Sequence, residues 1–299
     1  VWYLLGLAHE RVGNTESALA DLARAIRLSP EDEVARITQE GIALQHLEIK
    51  NEERKRIADY HQERGKLYEE RNILDKALNE YRRCLRLDPE SREGRLAYAG
   101  IYRLMGFPVK YGKELEVLRQ LGYSDKVILD DIEIVQSQLF EGVAAEWNVD
   151  QYALEHKTIS LAVFCLPQQA KEFHPFAAAT LTEYLKDQLR RYDTLRISEA
   201  QPLVEGYEEA FRQARSLDSD YFLLLSFEES ERSFLASLDQ YFSDTGRKIA
   251  SYRGFRTGND RIQEMTILLS SQLHDGLPKW GTLVTRLFDK GIVLSLIHI

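Results

Sequence analysis

The chain has 299 residues, 44% hydrophobic and 29% charged, a composition that suits a soluble globular protein with room for two ordinary domains. Its formal net charge of −9 argues against a general nucleic-acid role. No apolar run approaches the roughly 20 residues a membrane-spanning helix needs. The two cysteines, Cys84 and Cys165, lie in different expected domains and make neither a disulfide framework nor a metal site. Both read as small buried hydrophobes. The acidity is uneven: residues 1–156 carry a net −7 and the remainder −2.

The first stretch, WYLLGLAHERVGNTESALADLARAIRLSP (2–30), has the spacing of a helical hairpin. Gly6 and Ala18 are small enough to let two helix axes approach. Gly13 reads as a helix end, Asn14 or Thr15 as the next cap, and Pro30 as a stop. His9 reads as a packing residue. HQERGKLYEERNILDKALNEYRRCLRLDP (61–89) repeats the pattern through Gly65, Tyr68, Ala77, Tyr81 and Pro89, with Cys84 in a small-residue position. These residues resemble the tetratricopeptide repeat, whose unit is about 34 residues. Pro30 and Pro89 are 59 residues apart, which does not fit that period. Residues 33–57 are therefore expected to be a degenerate unit: one helix near Val34–Ile49, then a long helix from about Glu53. A weaker third unit spans 92–122, with Tyr98, Tyr102 and Gly106, then Leu115, Leu118 and Leu121 on one face. A closing helix near Ser124–Phe140 turns Ile128, Ile132, Val135 and Leu139 inward.

After a linker at 145–157 the texture changes. TISLAVFCL (158–166) suits a strand buried on both faces. Helices are expected at 176–192, 206–217 and 258–276, and strands at 194–198, 220–230, 232–243 and 247–256, with a tight turn at Asp244–Gly246. The expected fold class is α + α/β: a tetratricopeptide-type solenoid at 1–144, then a mixed-sheet α/β domain at 158–276 in the order β-α-β-α-β-β-β-α, then the start of a truncated β-domain at 277–293. The tail 294–299, LSLIHI, resembles translated sequencing-adapter read-through. With Val1 in place of a starting Met, it suggests a piece of a longer gene product.

Three segments of the second half, Ile159–Phe164, Ala214–Leu223 and Asp244–Gly246, are similar in plan to a bacterial envelope domain. That domain is found at the amino terminus of TolB, in the curli-secretion lipoprotein and in flagellar outer-membrane assembly proteins. The pattern departs at FCLPQQAKEFHPF (164–176), where the loop is longer and carries Pro167 and Pro175. The resemblance implies a cell-envelope or periplasmic setting; a cytoplasmic one is the alternative.

Catalytic patterns are absent from the sequence. It has no phosphate loop, dinucleotide fingerprint, nucleophile elbow or paired metal-spaced His. His156, His174 and His274 are widely separated. Asp130, Asp131 and Glu133 on one helix, and Glu228, Glu229 and Glu231 at a hairpin turn, read as solvated faces. No cofactor, metal or catalytic residue is expected. Arg253, Arg256 and Arg261 could form an anion contact only by converging at a helix start; a strand end with Asn259 or Thr257 capping the last helix is the favoured reading.

In a repeat stack the first helices line a groove. Gln62, Glu63, Lys66 and Glu70 from one unit and Glu93 and Arg103 from the next are the candidate partner-binding residues. Their charge favours a protein or peptide partner with basic character. The reading is a non-catalytic binding scaffold or adaptor of a bacterial envelope assembly. Its alternative is a cytoplasmic regulatory module whose α/β domain senses a small ligand.

Overall fold

The computed structural model describes residues 1–135, 137, 158–167, 174, 177–230 and 233–277. The expected linker, the β-domain start beyond Leu277, the 294–299 tail, Leu139 and His156 lie outside these residues. The chain divides into two compact units, one of 1–42 with 157–278 and one of 43–156 with 279–299.

The first unit begins with the helical pair α1 (Trp2–Arg11) and α2 (Thr15–Leu28), followed by most of α3 (Glu33–His46). Gly13 takes φ +76°, and the Asn14 side chain accepts from the Ser17 N–H, so the expected turn and cap are both present. Gly6 lies where an added Cβ would meet Leu22 Cγ at 2.8 Å, which is why the two helices can nest. His9 does more than pack: its Nδ1 is 2.8 Å from Asp21 of the facing helix.

The same unit holds a five-stranded sheet of β1 (Ile159–Cys165), β2 (Leu195–Ile197), β3 (Tyr221–Glu229), β4 (Ser233–Phe242) and β5 (Lys248–Thr257). Its strand order is β2-β1-β3-β4-β5. β1 runs parallel to β2 and β3, while β4 and β5 join antiparallel as a meander. Every residue of β1 is buried, as its unbroken apolar run requires. One face packs α9 (Ala177–Leu189) and α11 (Ile262–Gly276), with Leu181, Leu185, Met265 and Leu269 meeting Leu225, Phe227, Phe234 and Ala236. The other packs α10 (Tyr207–Ser216), whose Ala210 and Ala214 sit on Ala162, Phe164, Phe222 and Leu224. Successive crossovers from β1 move outward and then back across it, so their helices take opposite faces.

The start of α11 corrects the sequence reading. Thr257 does not cap it, and the Asn259 side chain lies outside the described residues. Thr257 ends β5, Asn259–Arg261 form a single 3-10 turn, and Arg261 precedes α11 without a side-chain cap.

The second unit contains α4 (Glu52–Glu70), α5 (Leu74–Leu87), α6 (Arg92–Leu104), α7 (Pro108–Gln120) and α8 (Lys126–Val135). The segment after α3 thus enters one long helix, α4, as its charge-rich sequence suggested. Tyr81, Tyr98, Ile101, Leu115, Leu118, Ile128 and Ile132 form a continuous core. Leu121 is 40% exposed, outside the expected apolar face, because it follows the last turn of α7. Asp131 is not simply solvated: it accepts the Tyr111 hydroxyl proton.

Two glycines give opposite expectations. An added Cβ at Gly65 would lie 2.6 Å from the Tyr81 ring, which is fully buried and held through its hydroxyl on Glu69. Gly65→Ala should therefore cost about 1–3 kcal/mol despite the better helix former. At Gly100, in α6, a built Cβ meets nothing within 4 Å beyond its own helix turn. Gly100→Ala should be neutral or stabilising by up to about 1 kcal/mol. Urea denaturation of both variants checks the sign; equal effects would contradict the packing described.

Candidate functional site

In the second unit, α4 presents Gln62, Lys66 and Glu70 along one helical row, with Glu63 beside it. Ser91 caps α6 through the Gly94 N–H and sets Glu93 in its first turn. The Gln62 amide donates to Glu93 at 3.2 Å, which brings the first helices of two successive pairs together. Asp59, one turn before Glu63, joins this face. Burial raises its pKa, and the nearby carboxylates of Asp88, Glu63 and Glu93 raise it further, against the opposing Lys55. The sequence reading missed Asp59 because it began the repeat at residue 61; the helical row extends one turn back to it.

Arg103 is exposed at the far end of α6 and turns toward α7 and α8. Its Nη1 is 3.4 Å from the Tyr111 hydroxyl and 3.9 Å from Asp131. It is therefore not among the residues gathered around Gln62 and Glu93.

In the first unit a strongly perturbed polar group is His174, in the sequence segment that departs from the envelope-domain pattern. Its Nδ1 is 2.9 Å from both Glu229 oxygens, and its backbone N–H also donates to Glu229 at 3.1 Å. Its Nε2 is 2.8 Å from Asp32, in the turn between α2 and α3. The other Asp32 oxygen accepts from the Ala35 N–H at the start of α3. Tyr3 of α1 meets the ring edge-on, with centroids 4.7 Å apart. An imidazole between two carboxylates uses both nitrogens as donors, so it is held as the cation. Burial alone would lower its pKa, but the hydrogen bonds to Asp32 and Glu229 raise it to about 9.

This arrangement corrects the solvated reading of the 228–231 acid cluster. The Glu229 side chain is only 4% exposed, and the cation it faces makes that burial tolerable. Glu228 is exposed, and Glu231 lies outside the described residues. Because the two carboxylates flank opposite nitrogens, they do not point at one common ion. Among the described residues, no group of three or more His, Cys, Asp and Glu is placed to hold a metal.

The arginine trio is not drawn together. Arg253 is exposed on the face of β5 away from α11. Arg256, three residues on, falls on the opposite face, and its Nη1 donates to the Phe255 carbonyl. Arg261 pairs with Glu264 at 3.9 Å. Cys84 and Cys165 are both buried, and burial pushes the Cys84 thiol up to about 12, which makes it a packing group rather than a nucleophile.

Comparison with known proteins agrees with this architecture. Tetratricopeptide-repeat models match residues 1–32 and 58–91, and these segments are tetratricopeptide repeats. A family model described as the second domain of its family matches residues 158–275. The chain thus carries tetratricopeptide repeats followed by an α/β family domain, and the repeats indicate a protein-interaction scaffold.

No curated protein matches the chain. Similar solved structures include two crystal forms of the PelC dodecamer from Paraburkholderia phytofirmans. One is 18% identical, covering 40% of this chain and 87% of that one, with a TM-score of 0.30. The other is 16% identical, covering 39% and 84%, with a TM-score of 0.28. The LpoB C-terminal domain from Salmonella enterica is 16% identical, covering 40% and 93%, with a TM-score of 0.27. No helix among the described residues is long and apolar enough to cross a membrane.

Proposed function

We propose that this protein is a non-catalytic adaptor of a bacterial cell-envelope assembly, and that its repeats hold a basic protein segment on the α4/α6 face. The observation that carries the reading is the meeting of Gln62 with Glu93, beside Asp59 and Glu63, on the first helices of two successive pairs. Carboxylates crowded there repel one another, and a cationic partner relieves that repulsion. Gln62, Glu63, Lys66, Glu70 and Glu93 are its contact residues; Arg103 marks the far end of α6. The envelope setting is supported by the resemblance of Ile159–Phe164, Ala214–Leu223 and Asp244–Gly246 to the sequence plan of envelope domains.

The test is fluorescence anisotropy of a peptide of alternating Lys and Leu, titrated with the full chain. Reversing Glu63 and Glu93 together, as E63K and E93K, should weaken binding on the order of 30-fold, at roughly 1 kcal/mol for each charge lost. Wild-type binding should also weaken with salt. Unchanged affinity in the double variant would remove the groove from the mechanism.

A further inference from the structure

β5 is the terminal strand of the sheet, and among the described residues nothing pairs with its outer edge. It is 10 residues long and contains no proline. Every second residue therefore turns its N–H and C=O outward, a row of groups able to accept another strand. The side chains add a second signal. Residues 247–257 hold four cations, Arg247, Lys248, Arg253 and Arg256, and no carboxylate, in a chain of net charge −9. Lys248 is satisfied by Asp239 of β4 at 2.7 Å. No described carboxylate pairs with Arg247, Arg253 or Arg256. On the face away from α11, Arg253 stands between Ser251 and Phe255, which is 58% exposed. A cationic edge with a register irregularity opposite Lys248–Ala250 resists pairing with a like-charged strand, whereas an acidic strand neutralises Arg253 and Arg256.

We infer that the β5 edge takes up an extended, acidic peptide segment as a sixth strand. The backbone of the incoming segment completes the ladder. Its carboxylates meet Arg253 on one face and Arg256 on the other, and an apolar side chain covers Phe255. A second copy of this chain is the wrong occupant. Antiparallel pairing of two β5 edges would crowd the cations of both copies onto one seam with no carboxylate to offset them. This surface is separate from the repeat face and takes the opposite charge, so failure of one leaves the other standing.

The experiment titrates the full chain into three labelled peptides of about ten residues, the length of the edge. One alternates Glu and Val, one alternates Lys and Val, and the third is the acidic peptide N-methylated at every second residue. The acidic peptide should saturate. The N-methylated form, which keeps the charge but loses the ladder, should bind at least tenfold more weakly. Arg253→Glu, an exposed change that leaves the fold intact, should weaken the acidic peptide at least tenfold, and amide exchange in 248–257 should slow on binding. Equal binding of the N-methylated and parent peptides would overturn the inference, since charge alone would then suffice. So would preference for the Lys peptide by β5, seen as slowed exchange there, or a dimer in sedimentation that Arg253→Glu dissolves.

Discussion

His174→Ala is expected to lower the stability of the unit containing residues 1–42 and the sheet by about 3 kcal/mol, and to abolish an alkaline transition that the wild type shows. The loss follows from geometry. Removing the ring leaves Asp32 and Glu229 buried without their cation, and breaking a buried pair costs about 3–5 kcal/mol. The pH dependence follows from linkage. The folded-state pKa is raised from its usual 6.5 to about 9, so folding favours the protonated ring. The stabilisation is complete below about pH 6.5 and disappears as pH rises through about 9. Its ceiling, set by that shift, is about 3 kcal/mol. Three groups face the ring: Asp32 from the α2–α3 turn, Glu229 from β3 and Tyr3 from α1. Burial drives the Tyr3 hydroxyl far above this range. Urea denaturation between pH 6 and 10, followed by amide exchange at the start of α3 and the end of β3, reads the result. His174→Gln keeps a donor but not the charge, and should lack the alkaline transition as His174→Ala does. A wild-type protein whose stability does not fall above about pH 8, relative to both variants, would show that the clamp contributes nothing.

The repeat units were legible because their signals are local. Gly6 against Leu22 and Gly65 against Tyr81 require a small residue at one position of each pair, and that constraint shows in the sequence without any tertiary knowledge. The α/β order was legible for the same reason. β1 is buried on both faces and β4 alternates, so period alone separates them from the helices. The clamp was not legible. Asp32 and His174 are 142 residues apart, and Glu229 lies a further 55 along. Only the longer loop after β1, the place where the envelope pattern failed, marked the region. The acid-cluster reading erred at Glu229 because local charge density says nothing about a cation arriving from another element. The arginine trio had a readable flaw: a three-residue interval in a strand puts Arg253 and Arg256 on opposite faces. Asp59 already lay inside the long helix expected from about Glu53, and was missed because the groove residues were sought only from residue 61 onward.

The second large effect is expected at Glu80→Ala, in the α4/α5 pair. The Glu80 side chain is fully buried, with one oxygen 2.6 Å from His61 Nδ1 and the other 3.2 Å from Arg64 Nε and 4.0 Å from Arg83. Comparison of the two repeats explains why. Aligning Gly6 with Gly65 puts His61 where the first repeat has Trp2, Glu80 where it has Asp21, and Arg83 where it has Arg24. In the first repeat Arg24 lies 3.9 Å over the Trp2 ring, and a neutral aromatic needs no counter-charge. Both repeats keep an acid at this position; Asp21 pairs with His9, whereas Glu80 pairs with the His61 that replaces the aromatic. Burial would raise the Glu80 pKa, but the His61 hydrogen bond and the charges of Arg83, His61 and Arg64 outweigh it and hold the group below its usual value. Its contribution is therefore present above about pH 4.5 and is lost as pH falls through the lowered folded-state value. Glu80→Ala should cost about 3–5 kcal/mol, because His61 and Arg83 then remain buried without their shared anion. Glu80→Gln, which keeps an acceptor, should cost about 1–3 kcal/mol. In a double-mutant cycle with His61→Ala, the coupling should reach about 1–3 kcal/mol. A domain of ordinary stability, about 5–15 kcal/mol, would be brought near unfolding by the first change alone. Urea denaturation of the full chain at neutral pH measures all three. Values within about 0.5 kcal/mol of wild type for both Glu80 variants would mean that the network fills space without holding the repeats together.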